Sequence, residues 1–150
     1  MLSAVGPLVE GYLGRRKFFA LFMAGGIASF VLSAVAAVVI SPRLSVGASG
    51  ALFALFGYGI VEGYRRGSGV MRQAAPQLLL WAGINFVLGL SIGVVDNAAH
   101  LGGLIAGALF ALAVSPYEAV ADRHRLAWGV ATAVGAALPI LGFALAIVSD

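Results

Sequence analysis

Cysteine is absent from the 150 residues, which excludes disulfides, thiolate-bound zinc and a thiol nucleophile. Charge is nearly absent as well. Asp, Glu, Lys and Arg make up 10% of the chain, where a soluble domain carries roughly a quarter, so these residues cannot clothe a surface that faces water. Strict apolar/polar alternation is missing too, which disfavours a membrane β-barrel. No low-complexity tract or internal repeat is evident. What fills the chain instead is apolar: hydrophobic residues are 61% of it, the mean hydropathy is +1.03, and they fall in long runs. A run of about 18 or more with few charges reads as a transmembrane helix. In lipid only helices or closed barrels satisfy every backbone group. The fold class that follows is all-α, a polytopic membrane helical bundle forming one domain over residues 1–150.

The net charge of +3 does not point to nucleic acid, because the basic residues sit in short clusters between apolar runs. Residues 1–14 read as the tail of a helix, too short to span alone and without the basic start and small-residue cleavage site of a signal peptide. Full spans are expected at residues 18–40, 46–64, 76–95 and 97–114, and a fifth at 126–148. Pro42 breaks the chain after the first, Pro76 suits the first turn of the third, and Asp96 and Asn97 are good caps for the fourth. Pro139 predicts a kink in the last. With five spans, Arg15, Arg16, Lys17, Arg65, Arg66, Arg72, Arg123 and Arg125 fall on one side and only Arg43 on the other. The positive-inside rule then puts that side in the cytoplasm and the C-terminus outside. The abundance of Arg over Lys, with much Ala, Gly and Val, suggests a bacterial inner membrane.

Two polar residues stand at matching depth. Ser49, in Gly47-Ala48-Ser49-Gly50, lies near the start of the second span, and His100, in Ala99-His100-Leu101-Gly102-Gly103, near the start of the fourth. Both helices enter from the outer side, and at a rise of about 1.5 Å per residue the two side chains share a level, the least that a nucleophile and its base require. His100, Gly103 and Gly107 occupy one helix face. Gly103 and Gly107 form a GxxxG pair that admits a neighbouring backbone, and Gly50, Ala54 and Gly57 make a similar small face. If these faces meet, the Ser49 hydroxyl meets the imidazole, and the free backbone N–H groups of the first turn could hold an oxyanion. A serine in a membrane helix ordinarily bonds a backbone carbonyl, so Ser49 alone means little. A histidine there is rarer and by default functional. Asp96, one turn before His100, reads first as a cap and second as a group that orients the imidazole. His124, between two arginines, reads as a solvated loop residue.

These residues resemble a known family. Gly47-Ala48-Ser49-Gly50 followed by Ala51-Leu52-Phe53 is similar to the nucleophile motif of rhomboid intramembrane proteases. Ala99-His100-Leu101-Gly102-Gly103, continuing to Gly107, is similar to their AHxxGxxxG motif. Gly6-Pro7-Leu8-Val9-Glu10 with Leu13-Gly14-Arg15-Arg16 resembles the end of their second helix. The resemblance implies a Ser/His dyad with Ser49 as nucleophile and His100 as general base and then acid, and Phe53 packed on the histidine ring. It implies an oxyanion site at the backbone of Ala48, Ser49 and Gly50, with Gly47, Gly103 and Gly107 in support. It implies single-pass transmembrane substrates in the bilayer, no nucleic acid, and no metal or cofactor. The span at 126–148 looks like the extra C-terminal helix of some members. The family's first helix, and a His and Asn of its second that help to bind the oxyanion, have no counterpart in these residues. The resemblance leaves the chain as a fragment, a mis-assigned start or a degenerate form, and implies that these residues alone are a weak or inactive protease, since loss of an oxyanion donor costs about a hundred- to a thousandfold in rate. The alternative reading is a rhomboid-like pseudoprotease that binds transmembrane helices without cutting them. A small transporter subunit with His100 on a proton path would need further ionisable residues at membrane depth.

Overall fold

In the computed structural model, residues 2–39, 48–66, 69–92 and 95–114 are described. They form five helices: α1 (Leu2–Leu13), α2 (Arg15–Val39), α3 (Ser49–Arg66), α4 (Gly69–Ile92) and α5 (Asn97–Ala113). The span expected at 126–148 with its Pro139, together with Gly47 and His124, lies outside the described residues.

Local chemistry sets the boundaries. Gly14 adopts a left-handed φ of 77°, which costs glycine nothing sterically. It ends α1 through a bond from its N–H to the Glu10 carbonyl (2.7 Å), and its own carbonyl accepts the Phe18 N–H (3.0 Å), which opens α2. The basic trio therefore lies in the first turn of α2 rather than in a loop, and Lys17 is buried. The start of α4 differs from expectation: the helix begins at Gly69, and Pro76 lies inside it. Proline at that point removes one backbone bond, but the apolar residues on both sides of it bury against α3 and carry the helix through. At α5 the expected cap is present, with Asp96 accepting the Ala99 N–H.

The centre of the bundle is α3, which touches each of the other four helices. Phe53, Leu55, Phe56 and Tyr58 are all at most 3% exposed. By contrast, α2 and α4 turn large apolar side chains outward, among them Phe30, Val38, Leu80 and Leu90, each at least 60% exposed. A helix enclosed in a soluble core would bury these, and a water-facing helix would not carry them; hydrocarbon solvates them. Among the described residues α2 and α4 are long and apolar enough to cross a membrane, and α5 is apolar but shorter. The last turns of α3 carry Glu62, Arg65 and Arg66.

Glycine contacts reveal the register. A Cβ at Gly103 would collide with the Gly50 carbonyl, one at Gly107 with the Ala54 carbonyl, and one at Gly57 with the Leu104 carbonyl. Helices α3 and α5 therefore run parallel, backbone against backbone, along the two small faces read from the sequence. α2 runs opposite to both, since Gly25 lies on Ala54 while Ser29 lies on Gly50. α4 is also opposed to α3: Gly63 meets Met71 and Ala75, and Gly59 meets Leu78. At the end remote from Ser49, Arg65 Nη1 donates to the Leu112 carbonyl of α5 at 3.3 Å. Near that end Glu62, 1% exposed, accepts from the Tyr12 hydroxyl at 3.1 Å and pairs with Arg66 at 3.4 Å, which fastens α1 to α3.

Overpacking a close crossing typically costs about 1–3 kcal/mol, more where the obstacle is backbone. Gly107→Ala should therefore lower stability in detergent by at least that much, measured as a shift in the unfolding transition. Gly83, whose Cβ would meet nothing within 4 Å, should tolerate alanine without loss. Equal responses at the two glycines would contradict the packing described here.

Candidate active site

The parallel pairing of α3 and α5 brings their first turns together at one end of the bundle. Ser49 is the first residue of α3, and the Ala48 carbonyl accepts the Leu52 N–H at 3.0 Å, which starts the helix. The N–H groups of Ser49, Gly50 and Ala51 thus have no intrahelical acceptor and sit at the positive end of the helix dipole. One turn into α3 stands Phe53, on the same face as Ser49.

His100 lies in the first turn of α5, its N–H bonded to the Asp96 carbonyl at 3.2 Å. Its Nε2 is 3.2 Å from Ser49 Oγ. Its ring lies flat on Phe53, with centroids 4.0 Å apart and planes 7° from parallel. Phe53 is braced in turn by an edge contact with Phe56 at 5.5 Å. His100 is 6% exposed, whereas Ser49 is exposed. The imidazole is enclosed and its hydroxyl partner is open.

Asp96 does not orient the imidazole by a hydrogen bond. One of its carboxylate oxygens accepts the Ala99 N–H at 3.0 Å and the other accepts the Ser33 hydroxyl of α2. His100 Nδ1 has no hydrogen-bond partner among the described residues. Among the described residues the arrangement is a pair rather than a triad, and the ring is held by stacking and by its backbone.

Gly103 and Gly107 take part only as absences of side chain that let α5 approach α3, and Gly50 does the same toward Ser29. Among polar residues elsewhere, Asn85 bonds the Trp81 carbonyl of its own helix at 2.7 Å. Glu10 sits 3.8 Å from Arg15 at the surface.

The sequence profile of the rhomboid domain matches residues 1–117. The chain belongs to the rhomboid family. It is similar to the rhomboid protease GluP of Bacillus subtilis (strain 168), 33% identical over 125 residues that make up 83% of this chain and 24% of that protein. It is similar to the rhomboid protease GlpG of Photorhabdus laumondii, 37% identical over 113 residues, 72% of this chain and 38% of that one. RHOMBOID-like protein 4 of Arabidopsis thaliana is 27% identical across 99% of this chain and 40% of its own length. The chain therefore spans less than half the length of these relatives. No solved structure matches it. Membership places this rhomboid among helical membrane proteins of a hydrolase family whose members are typically intramembrane serine proteases.

Reading the sequence of this rhomboid did not single out Ser33 or the Tyr12–Glu62 contact. Gly25, Ser29 and Ser33 recur every fourth residue along α2, a small and polar stripe that marks the face turned to α3 and α5. The partner of Ser33 lies in another helix, and only the packing reveals it.

If the Phe53 ring holds the imidazole, Phe53→Leu should keep the core largely filled, at a stability loss of about 1.5 kcal/mol or less. It should still slow the reaction of Ser49 with a fluorophosphonate by about two- to tenfold, since an aromatic stack is worth about 0.5–1.5 kcal/mol and the ring would lose its alignment. Wild-type labelling by this variant would remove Phe53 from the site.

Proposed function

We propose that this rhomboid is an intramembrane serine endopeptidase that cuts transmembrane helices of single-pass membrane proteins with Ser49 and His100. The observation that carries the reading is the 3.2 Å approach of His100 Nε2 to Ser49 Oγ, with the imidazole stacked on Phe53 and the serine exposed at a helix N-terminus. Ser49 Oγ attacks the scissile carbonyl while Nε2 takes its proton. The tetrahedral oxyanion is met by backbone N–H groups around Ala48, Ser49 and Gly50, which need no reorganisation as charge develops. The imidazolium then gives its proton to the leaving amine, the C–N bond breaks, and an acyl-Ser49 remains. Water activated by the same nitrogen hydrolyses that ester and restores the hydroxyl. The Phe53 face also favours the cationic ring in the charged steps.

Depth and orientation follow from the same helices. α3 has 18 residues and rises about 27 Å, against a hydrocarbon core of about 30 Å. With Arg65 and Arg66 anchored at one interface, Ser49 falls just inside the other. Arg15, Arg16, Arg65, Arg66 and Arg72 gather at the end remote from the dyad, which we assign to the cytoplasm. We place the protein as multi-pass in a bacterial inner membrane with its site toward the outer face; the span expected at 126–148 would then put the C-terminus outside. A substrate helix would present small or helix-breaking residues there, because a peptide bond must leave the helical hydrogen-bond pattern to reach Ser49.

The test is covalent labelling of the detergent-solubilised chain by a fluorophosphonate, alongside cleavage of a single-pass substrate. Ser49→Ala and His100→Ala should each lower both signals by more than about a thousandfold with helix content unchanged. Labelling that survives either substitution would overturn the dyad. A folded chain that takes up no probe would favour a helix-binding role without cleavage.

A further inference from the structure

Two hydroxyls one turn apart on α2, Ser29 and Ser33, are both buried, but they bond differently. Ser29 Oγ donates to the Gly25 carbonyl of its own helix at 2.7 Å, the ordinary resort of a serine in a membrane helix. Ser33 Oγ donates across the bundle to Asp96 Oδ2. Asp96 also holds the first turn of α5 by two further bonds: Oδ1 accepts the Ala99 N–H at 3.0 Å and its backbone carbonyl accepts the His100 N–H at 3.2 Å. One residue thus joins α2 to the two amides on which the base is mounted.

The dyad has particular need of that junction. Nδ1 of His100 has no hydrogen-bond partner among the described residues, so none of them aims the ring through that nitrogen, and the contacts that set its position there are the α5 backbone and the Phe53 stack. The glycine contacts of α5, at Gly102 against Ala28 and at Gly103 and Gly107 against α3, all lie C-terminal to His100. They fix how near the helix lies to its neighbours but leave its first turn to other restraints. Beside Asp96, Asn97 Nδ2 donates to the Phe86 carbonyl of α4 at 3.1 Å, a neutral bond to a helix that is mostly open on its outer faces. The Ser33 bond is to a carboxylate, the stronger type, and it comes from a helix already locked to α5 by Gly102.

We propose that Ser33 is a positioning residue: through Asp96 it fixes the first turn of α5 and with it the distance between His100 Nε2 and Ser49 Oγ. The inference rests on the protease reading above. Reactions of this kind lose about a hundredfold for a misplacement of about 1 Å. Ser33→Ala leaves Asp96 able to cap α5 but releases it from α2, so labelling of Ser49 by a fluorophosphonate should slow by about ten- to a hundredfold. Ser33→Thr, which keeps the hydroxyl, should label close to the wild-type rate.

Two further measurements separate positioning from general stability. In an Asp96→Ala background, Ser33→Ala should produce no additional slowing, because both changes break one bond. Hydrogen exchange at the Ala99 and His100 amides should quicken in Ser33→Ala while the amides of α3 keep their protection. A wild-type labelling rate in Ser33→Ala, a full extra loss in the Asp96→Ala background, or unchanged exchange at those two amides would each overturn the proposal. If the unmodified chain showed no Ser49-dependent labelling, the protease reading would fail by itself. The exchange result would then still decide whether Ser33 sets that turn.

Discussion

Everything in this bundle depends on how closely α3 and α5 can run beside each other. At Gly103 and Gly107 the obstacle to any side chain is a carbonyl of the facing helix, at Gly50 and Ala54 respectively. Side chains do not separate these helices, so their axes lie closer than leucine-lined contacts allow. In lipid no hydrophobic force draws helices together, and close van der Waals packing between small residues has to do so. The same contact sets the reach of the site. Ser49 and His100 stand at the parallel ends of the two helices, and a short serine side chain meets an imidazole only because their backbones are already near.

The parallel direction is as important as the closeness. Two antiparallel helices would put Ser49 and His100 at opposite ends of the bundle. Parallel neighbours need an element to bring the chain back between them, and α4, antiparallel to α3, does so. α2 then fills the other side, also antiparallel, which brings Ser33 near its end to the level where α5 begins. The polar groups sort by level accordingly. Ser33, Asp96, His100 and Ser49 collect at one end. Tyr12, Glu62 and Arg66 collect near the other. Between them the contacts are made of glycine, alanine and apolar side chains, which leave few polar groups to satisfy in hydrocarbon.

Much of this was legible in the sequence, because each feature rested on a local cause. Shortage of charge required a membrane. The spacing of His100, Gly103 and Gly107 marked one face of α5, and Gly50, Ala54 and Gly57 marked its counterpart. Asp96 announced itself as a cap. The start of α4 was read seven residues late, since Pro76 looks like a first-turn proline and nothing local shows that α3 will support the helix through it. The second role given to Asp96 failed for a related reason. Its place one turn before His100 suggests a bond to the ring, but a carboxylate that caps its own helix is aimed at the Ala99 N–H, and its remaining oxygen met Ser33. The partners of Ser33 and Glu62 depend on which helices become neighbours, and a single sequence does not encode that in any local pattern.

A serine–histidine pair whose imidazole finds no third hydrogen-bonding member among the described residues must be oriented in another way by those residues. In a triad an acid fixes the tautomer and the ring angle together. Here an aromatic face lies 7° from parallel to the imidazole, which restricts tilt but leaves sliding in the plane unopposed. Sliding is resisted by the backbone that carries the ring, and therefore by whatever holds the first turn of α5. An acid bonded to the imidazole inside a low-dielectric bundle would add a buried charge beside the reacting pair, with a large desolvation penalty. Placing the carboxylate one turn away, at the helix end and bonded to a hydroxyl and an amide, keeps that charge satisfied where the bilayer gives way to water. On the proposal above it would still govern where the imidazole stands. On the proposed reading the division of labour follows from the solvent: in hydrocarbon the flat apolar ring of Phe53 can lie against the imidazole, and the charged group would do its positioning from the edge.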